Sequence, residues 1–269
     1  MAVPSIVLIP GASALPKFYQ NIVDAVTKHG IPIQALHLPS AGLETGARPG
    51  PPPTLQDDAA FIAEHVAKLA DAGKDVVILT HSYGGAPATE SVKGLSKTCR
   101  QKQGLEGGVV RIAYMTSLVP KLGASAYSAL AAMSPEDQAP IVVDVGFLPI
   151  PFPSFPSAIL FASKQLAQLS FTDLPLQEGI EWASKMVKQS AASFATPLTY
   201  SGYKDVPVSY LLCKNDRTIP PSIQQDEIDM IEQETGKKVD VTSIDSDHVP
   251  LLSHPELVID WIVKLMEKE

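Results

Sequence analysis

The 269-residue chain predicts an α/β fold, a mainly parallel sheet with helices on both faces. Three observations lead there: six short β-rich runs, helical stripes between them, and one long stretch, 118–200, where the alternation breaks. Several of the runs are continuously apolar, as strands buried on both faces must be. Alternation of strand and helix then calls for a parallel sheet covered on both sides.

The runs are SIVLIP at 5–10, IQALHLP at 33–39, VVILTH at 76–81, VVRIAYMT at 109–116, VPVSYLLC at 206–213 and KVDVTSI at 238–244. Between the first two, Phe18, Ile22 and Val26 recur at four-residue spacing before Gly30. Leu55, Ala59, Ile62, Val66 and Leu69 draw the next stripe, with Thr54 and Asp57 placed to cap it and Gly73 to end it. After the last run, Ser253 and Glu256 suit a second capping box, ahead of a buried face of Leu257, Trp261 and Leu265. The broken stretch holds PIVVDVGFLPIPFPSFP at 140–156 and a helical pattern from Ile180 to Val187. It is too long for a crossover loop and too apolar for a linker. The expectation is a core of 1–117 and 201–269 with an inserted, mostly helical cap over 118–200. Phe147, Phe152, Phe155, Phe161 and Phe171 would make that cap apolar.

An apolar fraction of 45% and a charged fraction of 19% describe an ordinary soluble globule. The net charge of -8 offers no basic footprint for nucleic acid or an anionic membrane. Cys99 and Cys213 are too few for a disulfide framework or a metal site, and Cys213 ends a strand pattern as a core residue would. The N-terminal MAVPSIVLIPG lacks a basic lead and reads as a strand. With no run long enough to span a bilayer, the expected location is the cytoplasm.

The sharpest motif is Thr80-His81-Ser82-Tyr83-Gly84-Gly85, where the third run stops abruptly and a small-residue helix begins. A serine on such a turn is held with its hydroxyl above the sheet, and the next amide, that of Tyr83, faces a developing oxyanion. Thr80 stands where the usual Gly-x-Ser-x-Gly pattern has its first glycine. Ser82 needs a base. His248 follows the last run at the same sheet edge, whereas His29, His37 and His65 fall in helix or strand patterns and His81 should diverge from its neighbour. Asp216, directly after the fifth run, is placed to orient the imidazole, with Asp245 and Asp247 as rivals close to His248 in sequence. The order Ser82, Asp216, His248 is the one this architecture uses. A second oxyanion amide should come from the first loop, Pro10-Gly11-Ala12-Ser13, with Ala12 the best placed.

HSYGG at 81–85, NDRTIP at 215–220 and SDHVPLLSHPEL at 246–257 resemble the α/β-hydrolase superfamily, most closely its small capped methyl-ester hydrolases and hydroxynitrile lyases. The resemblance spans nearly the whole chain and implies a triad of Ser82, Asp216 and His248 with Ala12 and Tyr83 as the oxyanion hole. It departs at Pro10-Gly11, where the group has His-Gly, and at Ser13 to Pro16, which lack the usual histidine and tryptophan. Plant-type lyases carry threonine at the position of Gly11 and lysine at that of Val249; neither is present. The expected activity is hydrolysis of a small, largely apolar carboxylic ester or lactone, with no metal or organic cofactor. A lyase or cyclase using the same triad, or a non-catalytic receptor on the same fold, are the competing readings.

Overall fold

The computed structural model describes residues 3–46, 48–131, 142–147, 156–160 and 163–268, with the backbone alone for 142–147 and 156–160. In chain order the elements are β1 (Ser5–Ile9), α1 (Gln20–Lys28), β2 (Ile33–Ala35), α2 (Leu55–Asp71), β3 (Asp75–Ser82), α3 (Gly85–Ser91), α4 (Lys97–Gln101) and β4 (Gly108–Ser117). There follow α5 (Ala126–Ala131), β5 (Val142–Phe147), β6 (Pro156–Leu160), α6 (Ser163–Ser170), α7 (Leu176–Ser184), β7 (Gln189–Ser190) and α8 (Ala191–Ala195). The chain closes with β8 (Val208–Cys213), α9 (Pro221–Thr235), β9 (Asp240–Ile244), α10 (Pro250–Ser253) and α11 (Pro255–Met266).

The six sequence-predicted strands form one parallel sheet in the order β2-β1-β3-β4-β8-β9. Alternate residues of each central strand face opposite layers. Val7, Ile78, Ile112 and Tyr210 pack with Leu55 and Ile62 of α2 and Ile228 of α9. Ile6, Leu79, Met115 and Leu211 pack with Ile22 and Val26 of α1 and Trp261 and Leu265 of α11. The chain steps from β1 to β2 on one side and then crosses to β3 on the other. The strand order therefore reverses at β1, and a crevice opens between the C-terminal ends of β1 and β3, the place where open α/β sheets bind ligands.

Thr54 caps α2 as expected, with reciprocal Thr54–Asp57 bonds, and Gly73 follows that helix in the left-handed region (φ 75°). The Ser253–Glu256 box is absent. α11 starts after His254, and the Ser253 hydroxyl instead donates to Asp247 at 2.8 Å. Pro255 already supplies the first turn, where a missing N–H costs nothing.

Between β4 and β8 the described residues form a helical cap region of α5 to α8. It also holds a three-stranded antiparallel sheet, β5-β6-β7, which the sequence pattern does not announce. Phe152, Phe155, Phe161 and the side chain of Phe147 lie outside the described residues. Phe171 is buried, on the loop after α6.

Candidate active site

β1 and β3 pair in register from Ser5↔Val76 to Ile9↔Thr80, so the loop after β1 and the turn after β3 leave the sheet side by side. At that turn Ser82 has φ 53°, left-handed backbone that a non-glycine residue holds only where its surroundings impose it. Three glycines allow the chains to meet there. A Cβ on Gly11 would lie 2.9 Å from the His81 ring, one on Gly84 2.6 Å from the Pro10 carbonyl, and one on Gly85 2.5 Å from the Leu118 carbonyl. Thr80 is accommodated because it faces the small Ser117 of β4, their hydroxyls 2.7 Å apart.

The structure brings Ser82, His248 and Asp216 together. Ser82 Oγ lies 2.9 Å from His248 Nε2, and His248 Nδ1 lies 2.7 Å from Asp216 Oδ2. A ring whose Nδ1 donates to a carboxylate presents Nε2 as the acceptor for the serine proton. Asp216 is itself fixed: its Oδ1 accepts the N–H groups of Thr218 (2.7 Å) and Ile219 (2.9 Å), and its Oδ2 also accepts the Thr116 hydroxyl. The rival acids face elsewhere. Asp245 pairs with Lys214 on the surface. Asp247 exchanges bonds with Asp173 of the cap region, each carboxylate accepting the other's N–H, and burial raises its pKa from the ordinary value.

His81 diverges from Ser82 as expected and has a second task. It is buried, with Nδ1 2.8 Å from Tyr19 Oη and Nε2 2.8 Å from the carbonyl oxygen of His248. The carbonyl can only accept, so Nε2 carries the proton and Nδ1 accepts from tyrosine. Burial and the neighbouring His248 lower its pKa to about 3, so it stays neutral. Of the four other histidines, His37 meets the Gly42 carbonyl, His65 the Phe61 carbonyl and His254 the carboxylate of Asp173, while His29 lies at the C-terminal end of α1.

No acceptor among the described residues takes the N–H of Ala12 or of Tyr83. Ala12 lines a cavity of about 310 Å³, with Ser82 and His248 beside it at the floor, and Tyr83 directly follows Ser82 in the chain. Its walls are Phe18, Leu118, Leu130, Leu166, Phe171, Met186, Phe194, Ile219 and Leu251. Leu130, Leu166, Phe171, Met186 and Phe194 come from the cap region, and apart from the two histidines no described lining residue carries an ionisable group other than the phenols of Tyr19 and Tyr127. Sequence reasoning missed Tyr19, Thr116 and Gln189, buried polar residues that touch the site's backbone or carboxylate, and Asp58, which accepts the Tyr83 hydroxyl. For Thr116 a signal existed, because it ends a strand at the ligand-binding edge; the others are polar residues within otherwise ordinary patterns.

A parallel sheet covered on both faces, a serine on a left-handed turn after its third strand and a helical cap above define the α/β-hydrolase class. The chain belongs to the alpha/beta hydrolase family, whose profile matches residues 6–261. It is 31% identical over 265 residues to "Probable hydrolase R7" of Phoma sp., covering 98% of this chain and 99% of that one. It is 28% identical over 263 residues to "Alpha/beta hydrolase nvfD" of Aspergillus novofumigatus, covering 97% and 96%. Among solved structures, polyneuridine aldehyde esterase superposes with a TM-score of 0.73 at 18% identity, covering 98% of this chain and 99% of that one.

Proposed function

We propose that this protein is a serine-dependent carboxylic ester hydrolase for a small, largely apolar ester or lactone. The observation that carries the reading is the unbroken relay Asp216–His248–Ser82 opening into an apolar cavity lined by Ala12, whose amide, like that of Tyr83, has no acceptor among the described residues. Ser82 Oγ attacks the carbonyl carbon while His248 Nε2 takes its proton, and the oxyanion forms against the N–H groups of Ala12 and Tyr83. His248 returns the proton to the leaving alkoxide, releasing alcohol and leaving an acyl-Ser82. Water, deprotonated by the same nitrogen, then frees the acid. Asp216 holds the imidazole in the required tautomer throughout.

An apolar wall matches an uncharged substrate, since a charged one would have to shed its hydration without compensation. Cyanohydrin cleavage fits less well. A threonine cannot replace Gly11 without displacing His81, and Val249 puts an apolar side chain where the plant-type lyases have a lysine.

Incubation with p-nitrophenyl butyrate and with a serine-directed fluorophosphonate tests the reading. The expected result is turnover, with one covalent adduct mapped to Ser82. Ser82→Ala and His248→Ala should each lower kcat by roughly 10⁶-fold, because the groups act as a unit. Wild-type turnover or labelling in folded Ser82→Ala protein would overturn the mechanism.

A further inference from the structure

Ala12 sits between two amides that are already committed. The Gly11 N–H donates to Tyr19 Oη at 2.8 Å, and the Ser13 N–H donates to Gln189 Oε1 at 3.0 Å. Ser13 has φ 61°, a left-handed conformation unusual for serine. Its peptide is tethered on both sides, since the Val187 N–H also donates to the Ser13 carbonyl at 2.9 Å. Tyr19 and Gln189 are each 1% exposed, and each passes a further hydrogen bond toward another part of the site, Gln189 also donating to Ser193 Oγ at 3.1 Å. Tyr19 Oη donates to His81 Nδ1, and His81 Nε2–H donates to the carbonyl of His248. Gln189 Nε2 donates to Ser40 Oγ at 2.7 Å; Ser40 Oγ and Tyr83 Oη both donate to Asp58 Oδ2. One chain ends on the backbone of the base, the other on the side chain of the residue that follows the nucleophile.

We propose that Tyr19 and Gln189 are positioning residues that clamp the amides on either side of Ala12 and so aim its N–H at the oxyanion. The proposal deepens the ester-hydrolase reading and rests on it. An oxyanion donor is effective only if it already points to where charge will develop, because a donor that must reorganise returns part of its stabilisation. Here the amide that does the binding is the one left free between two that are held. Gln189 also lies on the chain's return from the cap region, beside Ala41, where the Ser190 N–H meets the Ser40 carbonyl at 2.9 Å. Seating of that return segment and aim of the Ala12 amide are therefore one structural event.

The test compares wild type with Tyr19→Phe and Gln189→Met, both close in shape and both lacking the clamping atoms. Steady-state hydrolysis of p-nitrophenyl butyrate is measured together with inhibition by an aryl trifluoromethyl ketone, which adds Ser82 Oγ to give a tetrahedral oxyanion. Each variant is expected to lose about 10- to 100-fold in kcat, the scale of a small misplacement at a reacting centre. Ketone affinity should fall in parallel while KM stays within about three-fold, a split that simple loss of packing does not produce. The imidazole ¹⁵N spectrum of wild type should show His81 as the Nε2–H tautomer. Unchanged kcat and ketone affinity in folded variants, or the Nδ1–H tautomer, overturns the positioning role. A wild type with neither turnover nor label at Ser82 sinks the hydrolase reading as well, whereas an active, labelled wild type beside indifferent variants sinks the clamp alone.

Discussion

At Asp216 the two carboxylate oxygens have separate duties. Oδ1 closes the turn by accepting two backbone N–H groups, and Oδ2 accepts the imidazole N–H and the Thr116 hydroxyl. Asparagine has only one acceptor oxygen. If that oxygen keeps the turn, its NH₂ confronts the imidazole donor and drives His248 into the other tautomer, with Nε2 protonated toward Ser82. Asp216→Asn should thus fold and bind substrate while kcat falls roughly 10⁴-fold; a loss of less than about ten-fold in folded protein would mean that another acid orients the ring. The meeting of Ser82, Asp216 and His248 in one hydrogen-bonded relay was legible because each follows a strand pattern at one sheet edge, and their chain order restricts the acid to the fifth run. The clamp was not legible. Tyr19 stands beside Phe18 of an apolar helical stripe with nothing in the pattern to mark it, and Gln189 is a glutamine whose partner, Ser13, lies 176 positions away.

The elements around the elbow meet at distances that only glycine permits. Gly84 has an ordinary right-handed φ of −54°, so its constraint is steric. An alanine methyl would stand 2.6, 2.7 and 3.0 Å from the carbonyl oxygens of Pro10, Ile9 and His81, all backbone atoms that cannot rotate away. Gly84→Ala should cost about 1–3 kcal/mol and push the loop after β1 from Ser82. The check is the urea midpoint together with the fluorophosphonate labelling rate, and both remaining at wild-type values would contradict the packing argument. Strand and helix periods made the six-stranded sheet readable, since each core strand must be apolar on both faces. The β5-β6-β7 sheet escaped for physical reasons too. β7 spans only two residues, too short for any period, and the proline-rich stretch around β5 and β6 pairs antiparallel within itself. The Ser253 cap failed because the helix begins one residue later than the pattern implies: Ser253 is the last residue of α10, and His254 takes the position before α11.

Across the whole molecule, stability must depend on pH through buried acids that do not line the cavity. Glu227 of α9 accepts the Val119 N–H at 2.8 Å and is buried, and that burial raises its pKa to about 8 from 4.5. The folded chain therefore holds a proton that the unfolded chain releases, and stability falls as pH rises from about 4.5 to 8. Asp58 acts in the same direction between 3.8 and about 6, because burial raises it too. His81 opposes them: its folded pKa of about 3 lies below the ordinary 6.5, so its contribution increases with pH across that interval. Between pH 6.5 and 8 Glu227 acts alone among the three, at about 1.4 kcal/mol per pH unit for one proton. Glu227→Gln keeps the acceptor for Val119 and imitates the protonated acid, so it should remove that slope. Urea unfolding of both proteins at pH 6.5 and 8 measures the difference directly. Wild type should lose stability relative to the variant over that interval. Parallel curves would show that Glu227 is already ionised in the fold, and would imply a counter-charge or water reaching it through α9.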